Sequence, residues 1–575
     1  MSNKGYVPEP KPVKGPIEVS AFYYPGTEQM AEWDQVEQTL PHIKPLLGWY
    51  DEGNPEVIDW QIKWAVEHGI SSFCVDWYWN NGVQRLDHWV KGYYKARYRK
   101  YLKWYIMWAN HNEPGAHSTA DQIRVTQFWL DNYLKTPEYY TIDGKPVIVV
   151  WLLANLDRDF IAEAAKNGET LAPGEGAKRA LEISDRMAKE VGLPGIYFID
   201  MYHSWKYEQS RIDIAKAAGY RGQMLYGFDR AAFAVAPELA KPGDTRNKFS
   251  YEHVVAAVPK WWKMMCTDTK FPFWPIIPTG WNDIPRSFEL SYVIYGRTPE
   301  LFKKACETCR EFCEKTGFKR VIVAPINEWQ EGSYIEPNAE FGFGMYDALR
   351  DVFCDRPAEG WPANVTPQEL GFGPYDYPPM EHLAKTSWNF SHDMQGWYRN
   401  PYGTAYLKTV DDAMHFFRSN SNRYAIRTRI APFDASQFKA FKVKMRVTAN
   451  PSGLNPAKGT ERLKLIWGTP ELPVFSKDFV ISDKPVCSQP VIIDGEWHEY
   501  TLPVSENPYW KGMVEELWFD PADLSNAYVD IKEMEFVLCL NVLKEKETKE
   551  TKKTKGMKLL EVIELFRSRG HGASR

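Results

Sequence analysis

Val321-Ile322-Val323-Ala324-Pro325-Ile326-Asn327-Glu328-Trp329-Gln330-Glu331-Gly332 is the stretch from which the architecture is read. Its apolar run, bounded by Pro and Gly, has the composition of a strand buried on both faces. At its exit two glutamates stand three residues apart, with Asn327, Trp329 and Gln330 beside them. If the chain turns helically there, side chains at i and i+3 share a face, with Cβ atoms about 5–6 Å apart. Paired carboxylates at that range can divide acid and base roles, because a nearby charge or an apolar wall separates their pKa values. The plainer reading is a strand exit with solvated glutamates.

Upstream, the same strand-like composition recurs. Short apolar runs at 18–24, 71–76, 104–109, 146–151, 196–200, 223–228, 274–279 and 321–326 alternate with amphipathic segments such as 57–67, 121–134, 177–190, 251–264 and 300–314. Eight strands alternating with helices over about 330 residues match a (β/α)8 TIM barrel, an α/β fold that insertions readily stretch beyond about 250 residues. An open doubly wound sheet would place a Gly-rich phosphate turn after the first strand. Tyr23-Tyr24-Pro25-Gly26 stands there instead, which favours the barrel.

In a barrel of this kind the active site lies at the C-terminal ends of the strands. The exits read Tyr23 and Tyr24; Asp76, Trp77 and Tyr78; Trp108 with Asn110, His111 and Asn112; Trp151; Asp200 with Tyr202 and His203; Asp229; Trp281, Asn282 and Asp283; and Asn327, Glu328, Trp329 and Glu331, with Glu336 just beyond. Nearly every exit offers an aromatic ring with a carboxylate, amide or imidazole. Rings stack on the apolar face of a pyranose while the polar groups bond its hydroxyls, so the pattern points to a carbohydrate site. Nothing in folding requires it at one rim.

The composition agrees. The chain carries 24 Trp, 32 Tyr and 29 Phe in 575 residues, 44% hydrophobic and 25% charged, as expected of a soluble globular protein with aromatic rings to spare. Its 70 basic and 75 acidic residues leave a net charge of −5, with no basic stripe in the body of the chain, so no nucleic-acid partner is expected. No apolar run approaches the roughly 20 residues of a membrane span. Residues 1–16 lack the apolar stretch of a signal peptide, so the protein is expected inside the cell unless a leader has been removed. Cys306, Cys309 and Cys313 mimic a zinc cluster but fall in a helical pattern with no partner pair at metal spacing. No metal or cofactor is expected.

The domain reading is an N-terminal extension at 1–16, a catalytic barrel at 17–354, a Pro/Gly-rich linker or wrap at 355–385, a β-sandwich at 386–540 and a charged tail with a short amphipathic helix at 541–575. The sandwich, jelly-roll-like, is inferred from short runs at 388–390, 404–409, 413–418, 441–447, 463–467, 491–493, 497–502, 514–519 and 527–536, separated by turn signals. Trp388, Trp397, Trp467, Trp497, Trp510 and Trp518 form either its core or a sugar-binding face, and the core is favoured for most.

Segments 108–113, 142–146, 227–229, 281–286 and 297–300, followed by Asn327-Glu328-Trp329-Gln330-Glu331-Gly332 and Ile335-Glu336-Pro337, occur in one order. Together they resemble the WbsX-type, glycoside hydrolase family 99-like group of (β/α)8 proteins. The sandwich is similar to carbohydrate-binding accessory modules. The resemblance implies a hydrolase of α-linked polysaccharide or oligosaccharide in which Glu328 acts as base on the substrate 2-hydroxyl. Attack by that hydroxyl gives a 1,2-anhydro sugar. Glu331 protonates the leaving oxygen and then activates water, with net retention. Gln330 stands where the family's endo-mannosidases have His, which leaves the sugar open. The alternatives are a glycosyltransferase, whose only Asp-x-Asp here (Asp157-Arg158-Asp159) reads as a helix N-cap; a non-catalytic carbohydrate-binding protein; and a metal-assisted site built from Asp76, Asp200 and His203.

Overall fold

The computed structural model describes residues 5–27, 30–80, 82–111, 114–204, 206–266, 271–287, 291–377, 385–400, 404–418, 424–449, 457–474 and 483–539. Asn112 and the 541–575 tail lie outside them. The chain forms two compact units, Met1–Pro378 and Pro379–Arg575.

The first unit is built on eight parallel strands: β1 Glu18–Tyr23, β2 Ile70–Asn80, β3 Lys103–Trp108, β4 Lys145–Val150, β5 Tyr197–Met201, β6 Gln223–Met224, β7 Ile276–Pro278 and β8 Arg320–Ala324. They pair in the order β7-β8-β1-β2-β3-β4-β5-β6. Gln223 bridges Phe273, just before β7, so the sheet curls into a nearly closed ring. All eight runs expected from the sequence occur in place. They are β-branched and apolar because both faces are covered: Val147, Ile148, Val149 and Val150 of β4 are each fully buried.

Helices Pro55–Glu67, Thr119–Asn132, Glu175–Glu190, Tyr251–Met265 and Pro299–Thr316 fill the expected positions. Their starts are written locally. Asn54 accepts a bond from Glu56 N with Pro55 at the first position, and Thr298 accepts one from Leu301 N with Pro299 likewise. Cys306, Cys309 and Cys313 line the buried face of the last of these helices, as its periodicity implies.

Residues 5–16 and 355–377 both lie along this unit. Val13 N bonds Val66 O and Tyr98 OH bonds Val7 O, while Tyr375 N and Tyr377 N bond Leu47 O and Trp49 O. Among the described residues no helix is long and apolar enough to cross a membrane.

The second unit consists of two antiparallel sheets over one core. The first pairs Thr404–Val410, Ala413–Arg418, Ala527–Leu538, Phe438–Ala449 and His498–Leu502 in that order, with Ser387–Asn389 added to Ala527–Leu538. The second runs Tyr398–Arg399, Ile426–Asp434, Met513–Asp520, Arg462–Gly468 and Val486–Pro490. Phe441 of the first sheet meets Phe519 of the second, with ring centroids 6.1 Å apart. Trp388, Trp397, Trp467 and Trp510 all belong to the core between the sheets.

Three details differ from the expectation, the first being the two-residue strand Tyr398–Arg399, which has no counterpart among the expected runs. Ile426–Asp434 is a strand that the sequence reading passes over, since its alternation is carried by arginines (Ile426-Arg427-Thr428-Arg429-Ile430). The run expected at 491–493 is not a strand. The edge strand is the polar Val486–Pro490 before it, as sheet edges are often polar to avoid further pairing.

Candidate active site

At the end of β8 the backbone folds tightly. Ile326 N bonds Phe22 O at 3.0 Å, extending the contact with β1. Asn327 and Glu328 then pair antiparallel with Tyr334 and Ser333. Trp329–Glu331 forms one 3-10 turn, closed by Gly332 in the left-handed region (φ 59°). The chain therefore turns helically only for Trp329–Glu331, in a turn whose i and i+3 positions nearly eclipse.

Both glutamates are nearly buried, Glu328 at 8% and Glu331 at 4% exposure. Their settings differ. Tyr226 OH donates to Glu328 Oε2 at 2.7 Å, and Asp76 lies close enough to feel its charge. Burial pushes the Glu328 pKa up, opposed by the Tyr226 bond and the Arg286 charge. Burial and the nearby Glu328 charge push Asp76 well above the usual carboxylate range. Glu331 instead forms an ion pair with Arg286. One rim thus holds a carboxyl whose charge is resisted and a carboxylate matched by a cation.

Aromatic rings line the adjacent rim. The Trp151 ring packs edge-on against Tyr226 at 5.2 Å and against His203 at 4.5 Å. His111 stacks on Trp151 at 5.3 Å and 18°, and Tyr78 lies 6.2 Å from His111. Removal of the His203 ring from water lowers its pKa to about 4, while its Nε2 lies 2.6 Å from Trp151 O. Tyr78, His111, Trp151, His203, Asp76, Glu328 and Glu331 are therefore brought to one region.

Other candidates face elsewhere, and strand parity explains most of them. On β2, Ser72, Cys74 and Asp76 share the inner side: Ser72 bonds Ser20 across to β1, and Cys74 feels the Asp76 charge. Trp77 has the opposite parity and packs on Phe128 and Trp129 of helix Thr119–Asn132. Trp108 meets the same Trp129 at 5.1 Å. Tyr23 packs on Trp89 and donates to Gln61 Oε1. Trp329 stacks on Tyr334 at 4.6 Å. These four rings are 2% exposed or less and are not presented at the rim.

A third group pins the strand exits to one another. Asn327 accepts from Tyr24 N and donates to Tyr24 O, both at 2.9 Å, and also donates to Glu52. Asn110 makes the same two-way clasp with Leu152 N and O. Asp229 accepts from Gly280 N at 2.9 Å. Asp283 accepts from Ser287 Oγ and Tyr292 N, and Asn282 Oδ1 from Ile284 N. Tyr202 OH donates to Lys206 O and accepts from Glu208 N. Glu336 accepts from Tyr50 OH at 2.6 Å and Gln61 Nε2 at 2.9 Å, and burial raises its pKa to about 7. Trp281 is 6% exposed, with the Arg230 guanidinium 5.4 Å from its ring centroid. Asp157 and Asp159 sit inside helix Leu153–Lys166 and do not cap it. Asp157 caps the following helix through Gly174, Gly176 and Ala177 N, and Asp159 accepts from Gly115 and His117 N.

Asp200 takes one bond, from Gln223 Nε2 at 3.2 Å, and among the described residues its other oxygen has no partner. Burial raises its pKa from 3.8 to about 7. Between those values the fold holds a proton that the unfolded chain releases, so this group's contribution to stability is lost as pH rises from about 4 to about 7. Asp200→Asn is expected to raise the melting temperature by several degrees at pH 8 and to leave it unchanged at pH 4. The bound is on the order of 4 kcal/mol at 1.36 kcal/mol per pKa unit. Thermal melts of both proteins across that range check it, and parallel curves would refute the assignment.

Two residues of the site escape the sequence reading. Tyr226 falls inside the run expected at 223–228, but β6 ends at Met224, which makes Tyr226 an exit residue. Arg286 lies on the short helix Ile284–Ser287, and a rim search for rings, amides and carboxylates passes over a cation.

Comparison with known proteins gives the family. The family described as Glycosyltransferase WbsX matches residues 29–349. The uncharacterized protein WxcX of Xanthomonas campestris pv. campestris is 22% identical over 396 residues, covering 60% of this chain and 50% of that protein. The chain thus spans about half the length of the curated relatives it matches. Similar solved structures include a glycoside hydrolase-like protein (16% identity, TM-score 0.43, 61% of this chain and 98% of that one). Another is the GH99 endo-alpha-mannosidase of Bacteroides thetaiotaomicron (17% identity, TM-score 0.38, 58% and 95%). The match covers more than half of the sequence, and the chain belongs to the family described as Glycosyltransferase WbsX.

Proposed function

We propose that the chain is a retaining glycoside hydrolase acting on α-linked polysaccharide or oligosaccharide, with Glu328 and Glu331 as its working carboxylates. The observation that carries this reading is the contrast between the two glutamates, one held by Tyr226 beside Asp76 and the other by Arg286. Environments that push two carboxyl pKa values apart are what acid and base roles require. A raised pKa suits Glu328 to accept a proton, here from the substrate 2-hydroxyl, whose oxygen then attacks the anomeric carbon. The 1,2-anhydro sugar forms as the glycosidic bond breaks, and the leaving oxygen takes a proton from Glu331, which holds that proton only after the Arg286 pair has opened and the freed carboxylate has taken it up from solvent. Glu331 next removes a proton from the water that opens the anhydro ring. The Arg286 pair therefore has to open as substrate enters, before the first step, and that side chain is 34% exposed, with solvent to turn into. Tyr78, His111 and Trp151 supply faces for the sugar rings.

A panel of plant, algal, fungal and bacterial glycans, read by product release for wild type beside Glu331→Gln, tests the reading. Release by wild type alone supports it and names the sugar. Silence across the panel counts against it and favours the second reading.

That second reading is a glycosyltransferase, favoured by the family's description. Its expected Asp-x-Asp is engaged in the backbone bonds described above. Retention of a labelled nucleotide sugar by the protein would favour it over hydrolysis.

Tyr226→Phe probes the Glu328 assignment. The phenol donates to the ionised carboxylate and lowers its pKa, so its loss raises that pKa further. If Glu328 is the base, the acidic limb of kcat/KM is expected to move to higher pH by about 1–2 units, the worth of a hydrogen bond to a charged group. A limb that stays in place would remove Glu328 from that role.

A further inference from the structure

We infer that the substrate is an acidic glycan whose sugar rings carry carboxylates, and that Arg286 selects it by exchanging Glu331 for a carboxylate of the substrate. The inference rests on the hydrolase reading above. Arg286 stands past the exit of β7 on the short helix Ile284–Ser287. Its guanidinium pairs with Glu331, and its charge also reaches Glu328. The two partners differ in exposure: the glutamate is buried, whereas the arginine side chain is open to whatever approaches the rim.

The pair sets a problem of charge. Glu331 has to part from Arg286 before it can hold the proton that the leaving oxygen takes. A guanidinium cannot be deprotonated to relieve that loss. A second carboxylate relieves it directly, because the planar fork bonds such a group through two parallel N–H donors. A substrate carboxylate arriving at Arg286 therefore replaces one ion pair by another and frees Glu331 in the same movement. The freed carboxylate then takes its proton from solvent. The charge of the site is conserved: the substrate brings one negative charge as Glu331 gives up its own, while Glu328 stays ionised as the base. Asp76, pushed well above the usual carboxylate range by burial, adds no charge to repel the newcomer. A neutral sugar offers only hydroxyls and leaves the guanidinium uncompensated.

A second guanidinium stands at the neighbouring exit. Arg230, just past β6, is exposed and lies 5.4 Å from the Trp281 ring centroid and 5.2 Å from that of Tyr292. Among the described residues no carboxylate pairs with it. Stacking on rings holds a guanidinium in place and leaves its N–H edge for a ligand. Trp281 and Arg286 belong to one loop, which is tied to the working carboxylate where Asn282 N bonds Glu331 O at 2.8 Å. The exit of β7 thus carries one cation on Glu331 and a second on its own tryptophan. In a chain of net charge −5 this is a local feature and not a general excess of cations.

The test is binding, by affinity electrophoresis, and product release with polygalacturonate, alginate and heparosan, each beside its carboxyl-reduced form, which has the same chain without the charge. At least one acidic form is expected to bind wild type about tenfold or more tightly than its reduced form. Glu331→Gln removes the competing carboxylate and is expected to tighten binding of that acidic form while leaving the reduced form unchanged. Arg286→Gln is expected to weaken it by about 10–100-fold, the worth of hydrogen bonds to a charged group, and to bring the two forms level. Arg286→Lys, which keeps the charge and loses the fork, is expected to fall between, and Arg230→Gln to give an independent loss. Thermal melts confirm that each variant is folded. Equal binding and release with acidic and reduced forms overturns the proposal and leaves the hydrolase reading standing. A preference for the acidic form that survives Arg286→Gln overturns it too, as does the failure of every acidic glycan to bind. An acidic glycan that binds through Arg286 and is never cleaved supports the ligand class and counts against hydrolysis instead.

Discussion

Glu328→Gln and Glu331→Gln are each expected to lower kcat/KM by about 10²–10⁴-fold or more, with melting temperatures close to wild type. The amide keeps the shape of the carboxyl but cannot carry its proton. Stability should hold for separate reasons at the two sites. Burial resists the charge of Glu328, so a neutral isostere removes an unfavourable ionisation and can still accept from Tyr226 OH. At position 331 the change takes a carboxylate from Arg286, but that side chain is partly in water already. Product-release kinetics and calorimetry on the same samples separate the outcomes. Full activity would remove the residue from the chemistry. A melting temperature lowered by many degrees would mark the glutamate as a structural brace.

Gly332→Ala should be the most damaging conservative change in the motif. A Cβ at this position would lie 2.5 Å from the Asn282 carbonyl oxygen and 2.8 Å from its nitrogen, and backbone cannot swing aside as a side-chain tip would. The residue also holds φ 59°, where any Cβ costs on the order of 1 kcal/mol. Overpacking adds about 1–3 kcal/mol. The shift also pulls apart the 2.8 Å bond from Asn282 N to Glu331 O, which fixes the position of one working carboxylate. Displacement of about 1 Å costs on the order of 10²-fold in rate. Gly360→Ala is the control, since Gly360 has φ 89° and no atom lies within 4 Å of the place its methyl would take. It carries the conformational cost without the collision. Similar losses in the two variants would show that the packing of Gly332 on Asn282 is unimportant.

The barrel is legible in the sequence because each strand run reports its own burial. Residues 146–151 are apolar at every position since both faces are covered, and 321–326 likewise. The sandwich is legible where strands have one wet face and fails at Ile426–Asp434, whose arginines mask the alternation. The paired glutamates are legible as chemistry, since nothing in a strand exit calls for two of them beside an amide and a tryptophan. The rim rings are harder. Asp76, Trp77 and Tyr78 are consecutive, and composition gives them equal claims, yet adjacent side chains on a strand point to opposite faces. Trp77 is spent on helix Thr119–Asn132 while Asp76 stays beside Glu328.

By itself, then, the sequence determined the order and kind of the barrel's strands and main helices, the grouping of eight strands into a barrel, and the strand exit at which two carboxylates stand. Those follow from local periodicity and turn residues, which each segment carries within itself. Tertiary structure alone decided which residues surround those carboxylates. Tyr226 reaches Glu328 across 102 residues because β6 stops at Met224, and Asn327 clasps Tyr24 across 303 because the first and last strands are neighbours in the ring. The pKa of a glutamate depends on such contacts. It is set by the water that packing excludes and the charges that packing brings near, and neither is written in the residues beside it.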